Sequence, residues 1–131
     1  MPVLDRTDPA WSHVENGLRG RWHAVCASCD VGRSPTPMTR LGDRLVLWRD
    51  RSGEVHILED RCPHRGAALS KGRAVGDNLV CGYHGVEVTT DGTVACVPAF
   101  DSSGLEGERL VRNYPTVEHN QTIYAWFGMN D

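Results

Sequence analysis

Residues 62–66 read Cys62-Pro63-His64-Arg65-Gly66, and residues 81–85 read Cys81-Gly82-Tyr83-His84-Gly85. Sixteen residues separate His64 from Cys81. Each stretch is short, contains glycine, and offers one thiolate and one imidazole. Together they supply four soft-to-borderline donors, enough to close a site around a metal centre. The order is C-x-H and then C-x-x-H, so neither stretch is purely sulfur.

Two metal readings suit four such donors. One is zinc in a tetrahedral site of two sulfurs and two nitrogens. The other is a [2Fe–2S] cluster in which two histidines replace two cysteines on one of the irons. Zinc-finger spacing usually places both cysteines first and both histidines last, so the alternation here favours the cluster. In that reading Cys62 and Cys81 hold one iron and balance its charge, while His64 and His84 are neutral donors to the other. Exchanging thiolate for imidazole removes negative charge and makes reduction easier. The histidine iron is expected to lie toward solvent, where the second ring nitrogen meets a partner or a proton. Gly66, Gly82 and Gly85 let the backbone curl close to the cluster.

The surrounding sequence reads as a scaffold for these loops. The chain has 131 residues, 40% hydrophobic and 24% charged, which suits one domain with one modest core. A net charge of −3 argues against a chain built as a whole to bind nucleic acid or an anionic membrane surface. The sequence shows no long apolar run and no signal-peptide pattern, so the expected compartment is the cytoplasm. The five cysteines are Cys26, Cys29, Cys62, Cys81 and Cys96. The odd count argues against a disulfide framework. Cys26-Ala27-Ser28-Cys29 is a C-x-x-C without a helix or a second pair beside it, so its cysteines read as strand-end thiols. Cys96 reads as a core residue.

Residues 1–20 form a lead-in. Asp8 and Pro9 can start a helix, and Trp11, Val14 and Leu18 fall at helical spacing before Gly17 and Gly20 end it. Residues 21–131 form the domain proper, an all-β fold of short strands and tight turns. Strands are expected at Trp22–Cys26, Met38–Leu41, Leu45–Arg49, Val55–Leu58, Leu79–Val80, Val86–Thr89, Thr93–Val97, Leu110–Tyr114, Thr116–Glu118 and Thr122–Phe127. Turns are expected at Gly42-Asp43, Asp50–Gly53, Thr90-Asp91-Gly92 and His119–Gln121. Arg61, Arg65, Lys71 and Arg73 are basic, with no acid until Asp77. They form either a surface that steers an acidic electron-transfer partner or a plain solvated face.

The run Asp60-Arg61-Cys62-Pro63-His64-Arg65-Gly66-Ala67-Ala68-Leu69-Ser70-Lys71-Gly72-Arg73, with Cys81-Gly82-Tyr83-His84-Gly85, resembles the Rieske domain of Rieske-type non-haem iron oxygenases. These are the ring-hydroxylating and demethylating oxygenases, and the resemblance runs from about Trp22 to Phe127. It implies a Rieske fold of stacked antiparallel sheets with a cluster-binding subdomain at one end. It also implies a Rieske-type [2Fe–2S] cluster on Cys62, His64, Cys81 and His84, with Arg65, Gly66, Tyr83, Gly85 and Pro98 around it. Val97-Pro98-Ala99 resembles the third, proline-containing loop that covers such clusters; a plain strand-end turn fits those residues equally. Respiratory Rieske proteins carry an extra cysteine in each loop and hydroxyl donors after the second. Here Leu69 and its small neighbours, Tyr83, Val86 and Val88 stand at those places. The chain departs from the oxygenase pattern at Gly82, often proline, and Val86, often tryptophan.

The oxygenases also need a mononuclear iron held by two histidines and a carboxylate. His13, His23, His56 and His119 do not form that motif, so no catalytic residues are assigned in this chain. The resemblance implies an electron relay. Its donor would be an NAD(P)H-dependent reductase or a ferredoxin, and its acceptor a non-haem iron oxygenase domain or subunit, with no nucleic acid and no membrane. A separate Rieske subunit or excised domain, a stand-alone Rieske ferredoxin and a zinc-binding structural module are the three readings carried forward.

Overall fold

Leu45, Val46, Leu47 and Trp48 are four consecutive residues with no exposed surface. Alternating side chains of a strand point to opposite faces, so an unbroken apolar run needs a core on each side. The computed structural model supplies both; it describes residues 17–63, 66–82, 85–98 and 104–128. Among the described residues, ten strands run in order: β1 (Arg21–Ala27), β2 (Thr36–Arg40), β3 (Asp43–Arg49), β4 (Val55–Glu59), β5 (Arg73–Val75), β6 (Asn78–Val80), β7 (Glu87–Val88), β8 (Val94–Cys96), β9 (Thr116–His119) and β10 (Thr122–Phe127). They form three antiparallel sheets, ordered β1-β10-β9, β2-β3-β4 and β5-β6-β7-β8.

The β2-β3-β4 sheet is the middle layer. Leu45, Leu47 and Ile57 face Ile123, Ala125 and Phe127 of the first sheet. Val46, Trp48 and Leu58 face Leu79, Val88 and Val94 of the third. Each large side chain buried this way contributes about 1.5–3 kcal/mol. β10 keeps the alternation expected of a strand covered on one face: Ile123, Ala125 and Phe127 are buried, while Thr122, Tyr124 and Trp126 are only partly so. No helix among the described residues is long and apolar enough to cross a membrane.

Polar ties join the layers. The Arg19 guanidinium, with a side chain only 1% exposed, donates to both oxygens of Asp43 at 2.7 and 3.2 Å and to the Leu41 carbonyl. The Tyr114 hydroxyl donates to the same carboxylate at 2.9 Å. Burial pushes the Asp43 carboxyl up, but these hydrogen bonds outweigh it and hold its pKa below the ordinary value. Gly20 N–H bonds the Phe127 carbonyl. Arg19 and Gly20, placed by sequence in the lead-in, are thus built into the sheets. The expected helix over residues 8–18 lies largely outside the described residues; Gly17 and Leu18 are helical.

Arg49 on β3 grips Glu118 on β9 with two hydrogen bonds of 2.9 and 2.7 Å. That grip lowers the Glu118 pKa from 4.5 to about 2. An acid whose pKa is depressed by folding stabilises the fold above its unfolded value and loses that contribution as it is protonated. The Glu118 contribution should therefore fade between pH 4.5 and about 2. Thermal melts of Glu118→Gln should lie below wild type at neutral pH and converge with it toward the acid end of that window.

Several expectations need correction. The β2–β3 turn is Leu41-Gly42, one residue earlier than expected, with both residues at positive φ (51° and 79°). β5 was not expected at all; its three residues pair with β6 and carry no apolar pattern of their own. Leu110–Tyr114 is not a strand. Its amides at Leu110 and Val111 both bond the Gly92 carbonyl, Tyr114 N–H bonds Ile57, and Val111 and Tyr114 enter different cores. The segment crosses between layers instead of following one sheet. Cys96 is exposed, not in the core. Strict alternation would align it with Val94, but the register jumps so that Val88 pairs Val94 and Glu87 pairs Cys96. The extra residue, Ala95, is a bulge that turns Cys96 outward and Val97 inward.

Candidate metal centre

Cys62 and Cys81 stand at the starts of two turns built the same way. Cys62 N–H bonds the Ala67 carbonyl at 2.7 Å, and the Cys62 carbonyl accepts from Gly66 N–H at 2.8 Å. Cys81 N–H bonds Val86 at 2.8 Å, and its carbonyl accepts from Gly85 N–H at 3.0 Å. Gly66 and Gly85, four residues after each cysteine, have φ of +75° and +73°. A residue with a Cβ is strained there, so both turns need glycine at the same step. Loop one leaves β4, and loop two joins β6 to β7. Their cysteines share the core cluster between the second and third sheets, each only 2% exposed.

His64, Arg65, Tyr83 and His84 lie outside the described residues. Of the other expected neighbours, Gly66, Gly85 and Pro98 are among the described residues. A Cβ built on Gly85 would stand 3.7 Å from Pro98 Cγ, so Pro98 packs close to loop two. Glu106 holds the Val97-Pro98 segment by accepting from Val97 N–H at 3.1 Å. Arg61 folds its guanidinium toward Gly66, with Nε 3.6 Å from the equivalent Cβ point. Gly82 and Gly85 are exposed while Cys81 is buried, so loop two reaches the surface at those two glycines. A cavity of about 410 Å³ opens between the loops, lined by Ala67, Ala68, Lys71 and Gly82.

A family model described as the Rieske [2Fe-2S] domain matches residues 21–115. The chain belongs to the Rieske [2Fe–2S] domain family. The cofactor of the domain is accordingly a Rieske-type [2Fe–2S] cluster, and the zinc reading falls away. The residues present fit that group: two buried thiols on twin turns, small side chains between them, and Gly82 and Gly85 exposed beside Cys81.

The relatives of this Rieske domain are oxygenase components. It is 34% identical over 111 residues to the oxygenase component of chloroacetanilide N-alkylformylase from Rhizorhabdus wittichii, covering 85% of this chain and 31% of that protein. Its fold matches apo dicamba monooxygenase with a TM-score of 0.78 at 33% identity, covering 85% of this chain and 34% of the other. It also matches the oxygenase in the reduced oxygenase–ferredoxin complex of carbazole 1,9a-dioxygenase, with a TM-score of 0.79 at 26% identity over 92% and 32% of the two chains. The chain thus spans about a third of the length of the relatives it matches.

Other singled-out residues stand apart from this centre. Cys26 lies on β1 and Cys29 on the 3₁₀ turn Ser28–Asp30 that follows it. Burial, and then Asp30, push the Cys26 thiol pKa up, the reverse of an activated thiolate. His23 bonds the Leu18 carbonyl and packs on Phe127. His56 meets Asp50 at 2.8 Å and tilts against Trp48. His119 ends β9. His13 is outside the described residues. The sequence shows Asp60, Ser70 and Gly72 only as part of the run around loop one, and neither they nor Glu106 carry a mark of the contacts they make here.

Proposed function

We propose that this chain is the electron-relay domain of a Rieske-type oxygenase system, with Cys62 and Cys81 on one iron and His64 and His84 on the other. When bound, the cluster accepts and releases one electron at a time. The observation that carries the reading is the pair of matched turns that bury Cys62 and Cys81 in one core. Burial keeps water from the thiolates and lowers the local dielectric. Loop two, exposed at Gly82 and Gly85, brings the relay to the surface where a partner can approach. Arg61, Lys71 and Arg73 are exposed beside it and would attract an acidic ferredoxin or NAD(P)H-dependent reductase. The acceptor is a non-haem iron centre in an oxygenase of aromatic compounds, in keeping with relatives that are oxygenase components. The proposed compartment is the cytoplasm, where ligand thiols stay reduced.

The purified chain should carry about two irons and two acid-labile sulfides and show the spectrum of a cluster with mixed ligands. Val86 and Val88, both fully buried, bring no hydroxyl toward the sulfurs. Its midpoint potential should therefore fall at the low end of the Rieske range, roughly −150 mV. Protein-film voltammetry checks this. A potential above zero would rule out the oxygenase type, and zinc in place of iron would rule out the relay.

A further inference from the structure

Among the described residues, no backbone hydrogen bond joins loop one directly to loop two. The segment between the loops ties them together. The connection runs through the 3₁₀ turn Leu69–Lys71. Asp60, 5% exposed, uses both carboxylate oxygens on one residue: Oδ1 accepts from Ser70 N–H at 2.7 Å and Oδ2 from Ser70 Oγ–H at 2.6 Å. Asp60 N–H bonds the Arg44 carbonyl, which anchors the acid to the middle sheet. Leu69, fully buried, pins the turn into the core from the other side.

The far end of the turn abuts loop two. A Cβ on Gly72 would lie 1.9 Å from the Val80 carbonyl oxygen and 3.0 Å from Gly82 N; one on Gly82 would lie 2.8 Å from the Lys71 carbonyl oxygen. Backbone rests on backbone here, with no room for a side chain. One rigid path therefore runs from loop one through Asp60 and Ser70 to Gly72, Gly82 and Cys81.

We infer that the Asp60–Ser70 clasp is a positioning device that sets the separation of the two thiol-bearing loops and so governs how firmly the cluster is held. The inference rests on the proposed site. A buried carboxylate is tolerated only when hydrogen-bonded, and its two-point grip on a short turn leaves that turn little freedom to slide. Asp60 and Ser70 are not among the proposed ligands; they act through the loops.

The test uses the holoprotein. Iron release to excess ferrous chelator and the EPR line positions of the reduced cluster are compared for wild type, Ser70→Ala, Ser70→Thr and Asp60→Asn. Ile123→Val, which loosens the other core, serves as a control for general destabilisation. Ser70→Ala should release iron about tenfold faster, the usual scale for outer-sphere changes, and should shift the EPR lines. Ser70→Thr keeps the hydroxyl, and Asp60→Asn can still meet both Ser70 groups, so both should stay near wild type. Unchanged release and lines in Ser70→Ala would overturn the inference while leaving the cluster in place. So would an equal acceleration in Ile123→Val. A wild-type chain that binds no iron–sulfur cluster would instead overturn the proposed site, and the inference with it.

Discussion

Cys81→Ser should purify colourless, with iron and labile sulfide near zero, while far-ultraviolet circular dichroism stays close to wild type. A serine hydroxyl is a hard, protonated oxygen at neutral pH; it neither balances ferric charge nor shares it as a thiolate does. Cys81 is 2% exposed among apolar neighbours, so the substituted hydroxyl also sits where water cannot compensate it. That adds roughly 1–3 kcal/mol of destabilisation. Cys81→Ala removes the ligand without adding a polar group and separates loss of the cluster from loss of the fold. Serine at Cys29 or Cys96, both exposed, should keep the colour. Retention of a full cluster by Cys81→Ser would show that Cys81 is not a ligand.

Gly92→Ala should be a severely damaging single-methyl change outside the ligand loops. Gly92 has φ +90°, and a Cβ there would fall 2.0 Å from the Val111 carbonyl oxygen. Its own carbonyl accepts the amides of Leu110 and Val111. The methyl group must therefore drive away the crossing segment that Gly92 anchors. Val111 would leave the core, and Glu106, on the same stretch, would loosen its hold on the Val97-Pro98 segment close to loop two. Left-handed strain and the overlap together should cost about 3 kcal/mol or more, lowering the melting temperature by roughly 10 °C. Gly53→Ala is the comparison. Gly53 has nearly the same φ, +92°, but nothing within 4 Å of its Cβ point, so it should lose only about 1 kcal/mol. Calorimetry of the two variants separates the overlap from the backbone conformation. Equal losses would show that the Val111 contact yields without cost.

The elements easiest to read in the sequence were those whose cause is local. Thr122–Phe127 shows its alternation directly, and its strand follows it residue for residue. Leu45–Trp48 reads as a strand, but its four-residue apolar run is explained only once sheets are found on both sides. Cys96 was misplaced because one bulge residue reverses every face beyond it, and a period-two pattern carries no mark of a bulge. Leu110–Tyr114 has strand-like composition, yet its partners lie at Gly92 and Ile57, far away in the chain.

What the sequence determined alone is the chemistry of the centre. The type and order of Cys62, His64, Cys81 and His84 make them the proposed donors of a mixed-ligand cluster, because donor softness and charge belong to the side chains wherever the chain takes them. The tertiary structure decided what holds the loops in place. It matched the turns at Gly66 and Gly85, set Pro98 close to loop two, and joined the loops through Asp60, Ser70 and the close contact of Gly72 with Gly82. Such contacts depend on which backbones meet in space, and spacing along a single chain does not encode that.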